Sequence, residues 1–431
     1  MEQKQQIEKD FGRVVGYEPI KLEFERILDM IRNKKKYDEL GAKLTSGVLL
    51  SGEPGTGKTL IANSFIKASK LPVYLIRKDL PDGDFIKFIK QSFEDAKLNA
   101  PSIVFLDDMD KFANEDNFHC DAEEYVTIQS CIDSVKGCNV FVLATANNIN
   151  KLPNSLIRSG RFDKQITVEA PKGKDASAIV EYYMKQKNFV SNIDSEEIAK
   201  ILNGGSCAVL ESVINEASIL AGFADRKKVE REDLLRSAMC VIFGAPEIAN
   251  KIPPKIVAKT AYHEAGHVVV AELLEPESVS LVSVLGHKGS TQGVTVYYQD
   301  DEEYFSSIEY MENRIKSLLA GKAATEIVYG EVDVGASNDI QRAITIAERF
   351  VDNYCCFGFD KIEFRDNSSN DLLSRKEIII FNELEKYYQE VRKMLILNRE
   401  FLDKVAQNLV EKETLTCKDV KAIKARCNIV K

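Results

Sequence analysis

The segment Gly52–Thr59 reads "GEPGTGKT" and constrains the fold more than any other stretch of the chain. It matches G-x-x-x-x-G-K-[ST] and lies between a predicted strand and a predicted helix, the context that this motif requires. The backbone N–H groups of such a loop surround phosphate oxygens, and the N-terminus of the next helix adds its dipole. A glycine-rich turn without a ligand would not need this context, and the dinucleotide pattern G-x-G-x-x-G is absent. We therefore expect a nucleotide site on a parallel α/β sheet.

Individual residues of this loop have distinct expected roles. Lys58 should reach the β- and γ-phosphates, and the Thr59 hydroxyl should bind Mg²⁺. The full set of nucleotide contacts predicted from the loop is Gly52, Pro54, Gly55, Thr56, Gly57, Lys58, Thr59 and Leu60.

The apolar run "SIVFLDDMD" ends in carboxylates, as expected for the partner strand of a phosphate loop. Asp107 is placed to hold Mg²⁺ through water, and Asp108 is placed to orient the attacking water. Two solvated carboxylates at a strand end are the alternative, and the neighbouring phosphate loop makes it the weaker one. ATP and Mg²⁺ are the cofactors that this half of the chain predicts.

Residues 46–170 alternate apolar runs with helical patterns. The runs at 47–52, 72–76, 102–107 and 139–146 are apolar without alternation, as in buried parallel strands. Helical segments between them, such as Asp84–Asn99, complete the rhythm of a doubly wound sheet. We expect an α/β P-loop ATPase with a parallel sheet, with a large subdomain at 1–171 and a small helical subdomain at 172–245.

The second half of the chain has a different pattern. The proline-rich stretch "FGAPEIANKIPPK" indicates a linker at 246–255. Residues 256–431 are mostly helical in period, apart from a strand-like region near 280–298 that includes "GVTVYY". This half should form a mostly α-helical domain, and its motifs predict a zinc metallopeptidase.

The stretch "ATANNINKLPNSLIRSGRFD" resembles the second region of homology of AAA+ ATPases. Taken alone, its arginines would be surface charges. The resemblance implies that Asn147 senses the γ-phosphate and that Arg158 and Arg161 reach into a neighbouring subunit's site. It therefore implies a ring.

The segment "YHEAGH" places His263 and His267 four residues apart, on one face of a helix. Two histidines at this spacing can share a zinc ion, with Glu264 beside them as general base. A helix that merely carries two polar turns is the alternative, but H-E-x-x-H is rare by chance in a chain with four histidines. Zinc is therefore the predicted metal.

Catalytic zinc needs a third protein ligand and an open position for water. His287 lies in a glycine-flanked turn and His119 lies in the ATPase half, so neither histidine is convincing. In "GASNDIQRAITIAERF", Ser337 can cap a helix that has Asp339 in its first turn. From the residues alone, Asp339 is equally well a ligand or a helix-terminus carboxylate.

"YHEAGH", followed by "GASNDI" and preceded by an AAA+ module, resembles the FtsH family of AAA+ zinc metalloproteases over nearly the whole chain. The resemblance implies that Asp339 is the third ligand and that Glu326 lies close to the site. It also implies a homohexamer in which an ATPase ring feeds polypeptide substrates to enclosed zinc sites.

Three departures from the family pattern fall in the motor half. Asp108 replaces the usual Walker B glutamate, and the aromatic pore motif is missing from the aligned "LPDGDF" at 80–85. The segment "GGSCAVL" at 204–210 only loosely matches the sensor-2 region. A zinc peptidase on a slow or inert ATPase ring therefore remains an alternative, as does an AAA+ chaperone or scaffold with a vestigial protease.

Charge and cysteine content limit the partners and the compartment. A net charge of −9 offers no basic footprint for nucleic acid. No apolar run approaches the length of a membrane helix, and the family's N-terminal membrane-spanning segment is missing from the sequence. Nine cysteines without a CxxC pair favour reduced thiols. We expect a soluble, cytoplasmic protein.

Overall fold

The computed structural model describes residues 10–42, 47–113, 122–158, 160–191, 193–244, 253–285, 293–298, 307–331, 334–354, 356–357 and 370–430. By their contacts the described residues form two compact units. One unit runs up to Gln186 and includes Gly204–Ser212, and the other contains Lys187–Asn203 and Val213 onwards. In the described part of the chain, no helix is both long and apolar enough to cross a membrane.

The first unit is built on a five-stranded parallel sheet in the order β2-β3-β4-β1-β5. Its strands are β1 (Gly47–Ser51), β2 (Val73–Ile76), β3 (Ser102–Leu106), β4 (Val140–Ala146) and β5 (Lys164–Thr167). The four predicted strands are confirmed. The fifth was missed because β5 is an edge strand whose exposed and half-buried residues alternate, so it has no apolar run.

Helices cover this sheet and bury its apolar strands. They are α1 (Glu18–Arg32), α2 (Lys34–Glu39), α3 (Lys58–Ser69), α4 (Asp82–Leu98), α5 (Glu123–Ser134) and α6 (Gly173–Met184). The core includes Phe85 of α4, which is fully buried and packs edge-on against Phe112 with 5.1 Å between ring centroids. Phe85 is therefore a core residue and cannot replace the missing aromatic residue of the pore motif.

The second unit is mostly helical, as predicted. Its helices are α7 (Ser195–Ile201), α8 (Cys207–Phe223, which starts in the first unit), α9 (Arg231–Phe243), α10 (Pro254–Leu274), α11 (Ile308–Tyr329), α12 (Ser337–Asp352), α13 (Asn370–Leu397), α14 (Arg399–Lys412) and α15 (Cys417–Lys424). An antiparallel sheet in the order β7-β6-β8 joins β6 (Val279–Ser283), β7 (Val294–Tyr297) and β8 (Thr414–Thr416). The predicted strand-like region is confirmed, whereas β8, with three residues, was missed.

Helices α10 and α11 pack unusually closely because small residues line their contact. A Cβ added to Gly266 would lie 2.5 Å from the carbonyl oxygen of Ala320 and 2.7 Å from the Cβ of Ala324. The half of α10 that carries the histidine motif is therefore buried against α11. This close packing positions the predicted metal site.

The expectation that Ser337 caps its helix was wrong. Ser337 is the first residue of α12, and Ala336 occupies the N-cap position without a side-chain hydrogen bond. Asp339 nevertheless lies in the first turn, as predicted. Most of the predicted apolar face of α12 is buried, although Ile344 is 37% exposed.

Candidate functional site

His263, His267 and Asp339 converge on one point between α10 and α12. The Nε2 atoms of the two histidines are 3.1 Å apart, and each lies 3.3 Å from Oδ2 of Asp339. A tetrahedral zinc ion with bonds of 2.0–2.1 Å requires about 3.3–3.4 Å between its ligand atoms. The triangle therefore has the size that zinc needs. Within the described ranges, these three residues are the one cluster of histidine, cysteine and acidic side chains with metal-ligand spacing.

Gly321 of α11 forms the wall of this cluster. A Cβ added to Gly321 would lie 2.6 Å from Nε2 of both histidines and 2.5 Å from Cε1 of His263. Such an atom would overlap the ligand nitrogens of both histidines and the ring of His263. Glycine at this position is therefore required for the two imidazoles to come together as they do.

A backbone carbonyl sets the tautomer of His267. The Nδ1 atom of His267 lies 2.6 Å from the carbonyl oxygen of Ser317, so Nδ1 donates its proton there and Nε2 remains available as a ligand. Burial alone would raise the pKa of Asp339, but hydrogen bonds from His263 and His267 outweigh burial and hold that pKa well below its usual range. Asp339 is therefore an anion, as a metal ligand must be.

Glu264 faces β7. Its Oε2 accepts a 2.7 Å hydrogen bond from the Thr295 hydroxyl, and the side chain is nearly buried. A Cβ added to Gly293 would lie 2.5 Å from Oε1 of Glu264, so the start of β7 touches the carboxylate directly. The predicted general base is thus held beside the predicted ligands by the "GVTVYY" segment.

Glu326 was expected close to the metal, but its carboxylate has other partners. It accepts a hydrogen bond from the Tyr388 hydroxyl and forms an ion pair with Arg392 at 3.4 Å. His119 and His287, the two histidines set aside as ligands, lie outside the described residues.

The phosphate loop has the expected shape. Gly52, Gly55 and Gly57 all have positive φ angles, which glycine adopts without strain. Lys58 is buried, which lowers its pKa, and its Nζ donates to the carbonyl oxygens of Gly52 at 2.8 Å and Glu53 at 2.7 Å. Without phosphate, the lysine therefore folds back onto its own loop.

The remaining residues predicted from this loop occupy different environments. Thr56 is buried, Pro54 is exposed, and Leu60 in the first turn of α3 is 45% exposed. The start of α8 meets the loop, because the Ala208 N–H donates to the Gly55 carbonyl at 3.1 Å. The segment at 204–210, which matches the sensor-2 region only loosely, therefore contacts the phosphate loop.

Asp107 and Asp108 follow β3 and point toward the loop, but both are already engaged by cations. Oδ1 of Asp107 accepts hydrogen bonds from Thr59 at 3.2 Å and Thr145 at 2.8 Å, and Oδ2 forms an ion pair with Arg77. Asp107 raises the pKa of Arg77 through that hydrogen bond. This cation therefore contacts the carboxylate oxygen that faces away from the two threonines.

Asp108 has a left-handed backbone conformation, with φ of 55°. Its Oδ2 accepts a 2.8 Å hydrogen bond from Lys111, and its Oδ1 accepts a 3.2 Å bond from the side-chain amide of Asn147. The structure thus brings the predicted water-orienting acid and the predicted sensor asparagine into contact.

The two predicted arginine fingers differ in their surroundings. Arg161 is mostly buried and bonds Asp133 at 2.7 Å and Gln129 at 3.2 Å, and it holds the pKa of Asp133 at about 2. Arg158 is exposed. Of the two, Arg158 is the residue whose side chain extends toward solvent.

Sequence reasoning missed several residues of these sites, namely Gly321, Ser317, Thr295 as a partner of Glu264, and Arg77. Gly321 and Thr295 contact side chains that are far away in the sequence, so their roles depend on the tertiary fold. Ser317 contributes only its backbone carbonyl, which any residue type could supply. Arg77 directly follows β2, and a cation at that strand end beside the Asp107 strand was a signal that could have been used.

Comparison with known proteins identifies a family for each half of the chain. The model of "Peptidase family M41" matches residues 252–423, and the model of the "ATPase family associated with various cellular activities" matches residues 48–170. ATP-dependent zinc metalloprotease FtsH 2 of Phytoplasma mali is 30% identical over 97% of this chain and 63% of its own length. The chain thus spans a little under two thirds of that relative.

Two further relatives are covered more fully. ATP-dependent zinc metalloprotease FtsH 1 of Thermomicrobium roseum is 30% identical over 96% of this chain and 68% of its own length. ATP-dependent zinc metalloprotease FtsH of Caldicellulosiruptor bescii is 31% identical over 94% of this chain and 70% of its own length. At this identity and coverage the two relatives show the family, and the chain belongs to the FtsH family of ATP-dependent zinc metalloproteases.

Proposed function

We propose that this chain is an ATP-dependent zinc endopeptidase that degrades polypeptides within a ring of identical subunits, a hexamer by family analogy. The observation that carries the proposal is the triangle of His263, His267 and Asp339, whose ligand atoms are spaced for tetrahedral zinc beside Glu264. The four domain segments at 1–171, 172–245, 246–255 and 256–431 are part of this proposal.

In the peptidase half, His263, His267 and Asp339 would hold zinc, which when bound would supply Lewis acidity toward a scissile carbonyl and toward a water molecule. Glu264 takes a proton from that water at Oε1, since Thr295 already bonds Oε2. Glu264 then delivers the proton to the nitrogen of the leaving amine. The buried surroundings of Glu264 strengthen each of these polar interactions.

Substrate binding follows from the position of β7. In the described sheet, β7 pairs with β6 on one side only and is an edge strand. A substrate chain can pair with its other edge through main-chain hydrogen bonds, which suits a protease of low sequence specificity.

In the motor half, Lys58 and the loop N–H groups bind the phosphates, and Thr59 and Asp107 bind Mg²⁺. Asp108 and Asn147 orient the attacking water, and Arg158 reaches the site of the next subunit in the ring. In the described part of the chain, no cysteine forms a disulfide, which supports a reducing, cytoplasmic location.

A second candidate is a zinc peptidase on a slow ATPase ring, where nucleotide mainly controls assembly. Two ion pairs favour this second candidate. Asp107 pairs with Arg77 and Asp108 pairs with Lys111, so both carboxylates expected to act in ATP hydrolysis already have a basic partner in the same chain.

Casein digestion with and without ATP, together with zinc analysis and solution mass, tests these functions. The proposed function predicts rapid cleavage only with ATP, by a zinc-containing hexamer. Equal cleavage in both conditions would favour the second candidate. A zinc-free protein that binds ATP and cleaves nothing would leave a chaperone or scaffold.

A further inference from the structure

We propose that Thr295 is a positioning residue, whose hydroxyl orients the carboxylate of Glu264 for proton transfer. This inference rests on the proposed peptidase function, because a base needs orientation only if it acts on a bound water. Thr295 touches Glu264 and none of the predicted ligands, so its effect must pass through Glu264.

The contact has the geometry of a strong hydrogen bond. The Thr295 Oγ1 to Glu264 Oε2 distance is 2.7 Å, and Glu264 is only 5% exposed. Hydrogen bonds to a carboxylate are stronger than neutral ones, and exclusion of water strengthens them further. The bond therefore favours this orientation of the Glu264 side chain over the others that a glutamate can adopt.

The main chain of β7 limits the carboxylate on its other side. A Cβ added to Gly293 would lie 2.5 Å from Oε1 and 2.8 Å from Cγ of Glu264. Gly293 and Thr295, two residues apart on one strand, thus hold the two oxygens of the same side chain. With Oε2 occupied by the hydroxyl, Oε1 is the oxygen left for the water.

The strand that carries Thr295 is itself fixed. Val282 of β6 pairs with Thr295, and Ser283 pairs with Val294. The Ser280 hydroxyl donates to the Val296 carbonyl at 3.1 Å. These contacts hold the Thr295 hydroxyl in place, so the sheet determines where the base points.

The cost of losing this orientation can be bounded. A displacement of about 1 Å at a reacting group can cost on the order of a hundredfold in rate. Removing the hydroxyl leaves Glu264 charged and present but less restricted. We therefore expect a loss of roughly tenfold to a hundredfold in kcat, smaller than the loss from removing the base itself.

The experiment compares Thr295→Val with Thr295→Ser in the whole chain, using a fluorogenic peptide. Valine keeps the β-branched shape and removes the hydroxyl, whereas serine keeps the hydroxyl. Thr295→Val should lower kcat with KM nearly unchanged and with full zinc content, and Thr295→Ser should recover most of the loss. Thr345→Val removes an exposed threonine hydroxyl on α12 and serves as the matched control with unchanged kinetics.

A readout independent of activity completes the test. The thermal unfolding midpoints of four proteins form a double-mutant cycle: the wild type, Thr295→Val, Glu264→Gln and the double variant. Because the two side chains are in direct contact, we expect the change in midpoint of the double variant to differ from the sum of the two single changes. Additive midpoints would overturn the inference, as would wild-type kcat in Thr295→Val or zinc loss in that variant. An inactive wild type with coupled midpoints would instead remove the proposed function, and the positioning role with it.

Discussion

The zinc site and the nucleotide site of this chain are prepared for their ligands in opposite ways. Three ligand atoms meet around an open point in the zinc site, and Gly321 keeps side-chain atoms out of it. In the nucleotide site, by contrast, Asp107 is bonded to Arg77 and Asp108 to Lys111. The zinc site thus brings three ligand atoms together, whereas in the nucleotide site both acids are paired with basic side chains of the same chain.

The difference shows what each half must do when its ligand arrives. The zinc ligands need only lose their mutual hydrogen bonds, because their spacing already matches the ion. In the motor, Lys58 donates to two backbone carbonyls of its own loop, and Asp107 accepts a hydrogen bond from Arg77. The polar groups of the nucleotide site are therefore shared with neighbouring protein groups to a greater extent than those of the zinc site.

The largest expected effects come from the zinc site itself. Glu264→Gln should lower peptide hydrolysis by about 10²–10⁴-fold and keep zinc, because Glu264 is a base and not a ligand. Asp339→Asn should lose zinc, since an amide is a poorer ligand than a carboxylate. Elemental analysis and peptide kinetics on both variants check this. Full zinc occupancy and intact activity in Asp339→Asn would remove Asp339 from the site.

The next effect tests whether the open point is essential. Gly321→Ala should weaken zinc binding by at least about tenfold to a hundredfold, because the new methyl group would overlap the ligand nitrogens of both histidines and displace them. Competition with a chelating dye measures this affinity. Gly222→Ala on α8 is the control, because a Cβ there meets no described atom within 4 Å. Equal zinc affinity in both variants would mean that Gly321 does not shape the site.

In the nucleotide-binding half, by contrast, we expect removal of a side chain to strengthen Mg²⁺-dependent ATP binding. Arg77→Ala should lower the Mg²⁺ concentration needed for half-maximal ATP binding by about tenfold, the cost of one charge-assisted hydrogen bond. A fluorescent ATP analogue titrated at several Mg²⁺ concentrations measures it. Lys111→Ala is the comparison variant, because Lys111 pairs with Asp108 and not with Asp107. An unchanged or increased Mg²⁺ requirement in Arg77→Ala would show that this arginine does not compete with the metal.

The smallest expected effect concerns Asp108, where we expect ATP turnover to be slow for this family. Asp108→Glu should raise turnover several-fold, because the shorter acid ends about 1.5 Å farther back, one C–C bond length. Steady-state phosphate release at saturating ATP checks it. A folded Asp108→Glu ring that turns over more slowly would show that Asn147 and Lys111 have built the site around aspartate.

The parts that could be predicted from sequence are those with local signals. Strands β1, β3 and β4 are buried apolar runs, β2 is a shorter, half-buried apolar run at the edge of the sheet, and both histidines of the motif come from one helix face. Asp339 was equally a ligand or a terminal carboxylate until its Oδ2 was seen 3.3 Å from both histidines. The edge strand β5 and the role of Gly321 could not be predicted, because both depend on contacts with residues far away in the sequence. A local pattern of apolar residues does not contain that information.

The close packing at Gly266 links metal binding to the spacing between α10 and α11. Both histidines belong to α10 and the wall of their site belongs to α11, so the spacing of two helices sets the size of the ion's cage. Loss of zinc and separation of α10 from α11 should therefore be coupled, because a ligand that binds only the closely packed helix pair stabilises that packing. A larger residue at position 266, which is not itself a predicted ligand, should therefore weaken zinc binding, and bound zinc should stabilise the contact between the two helices.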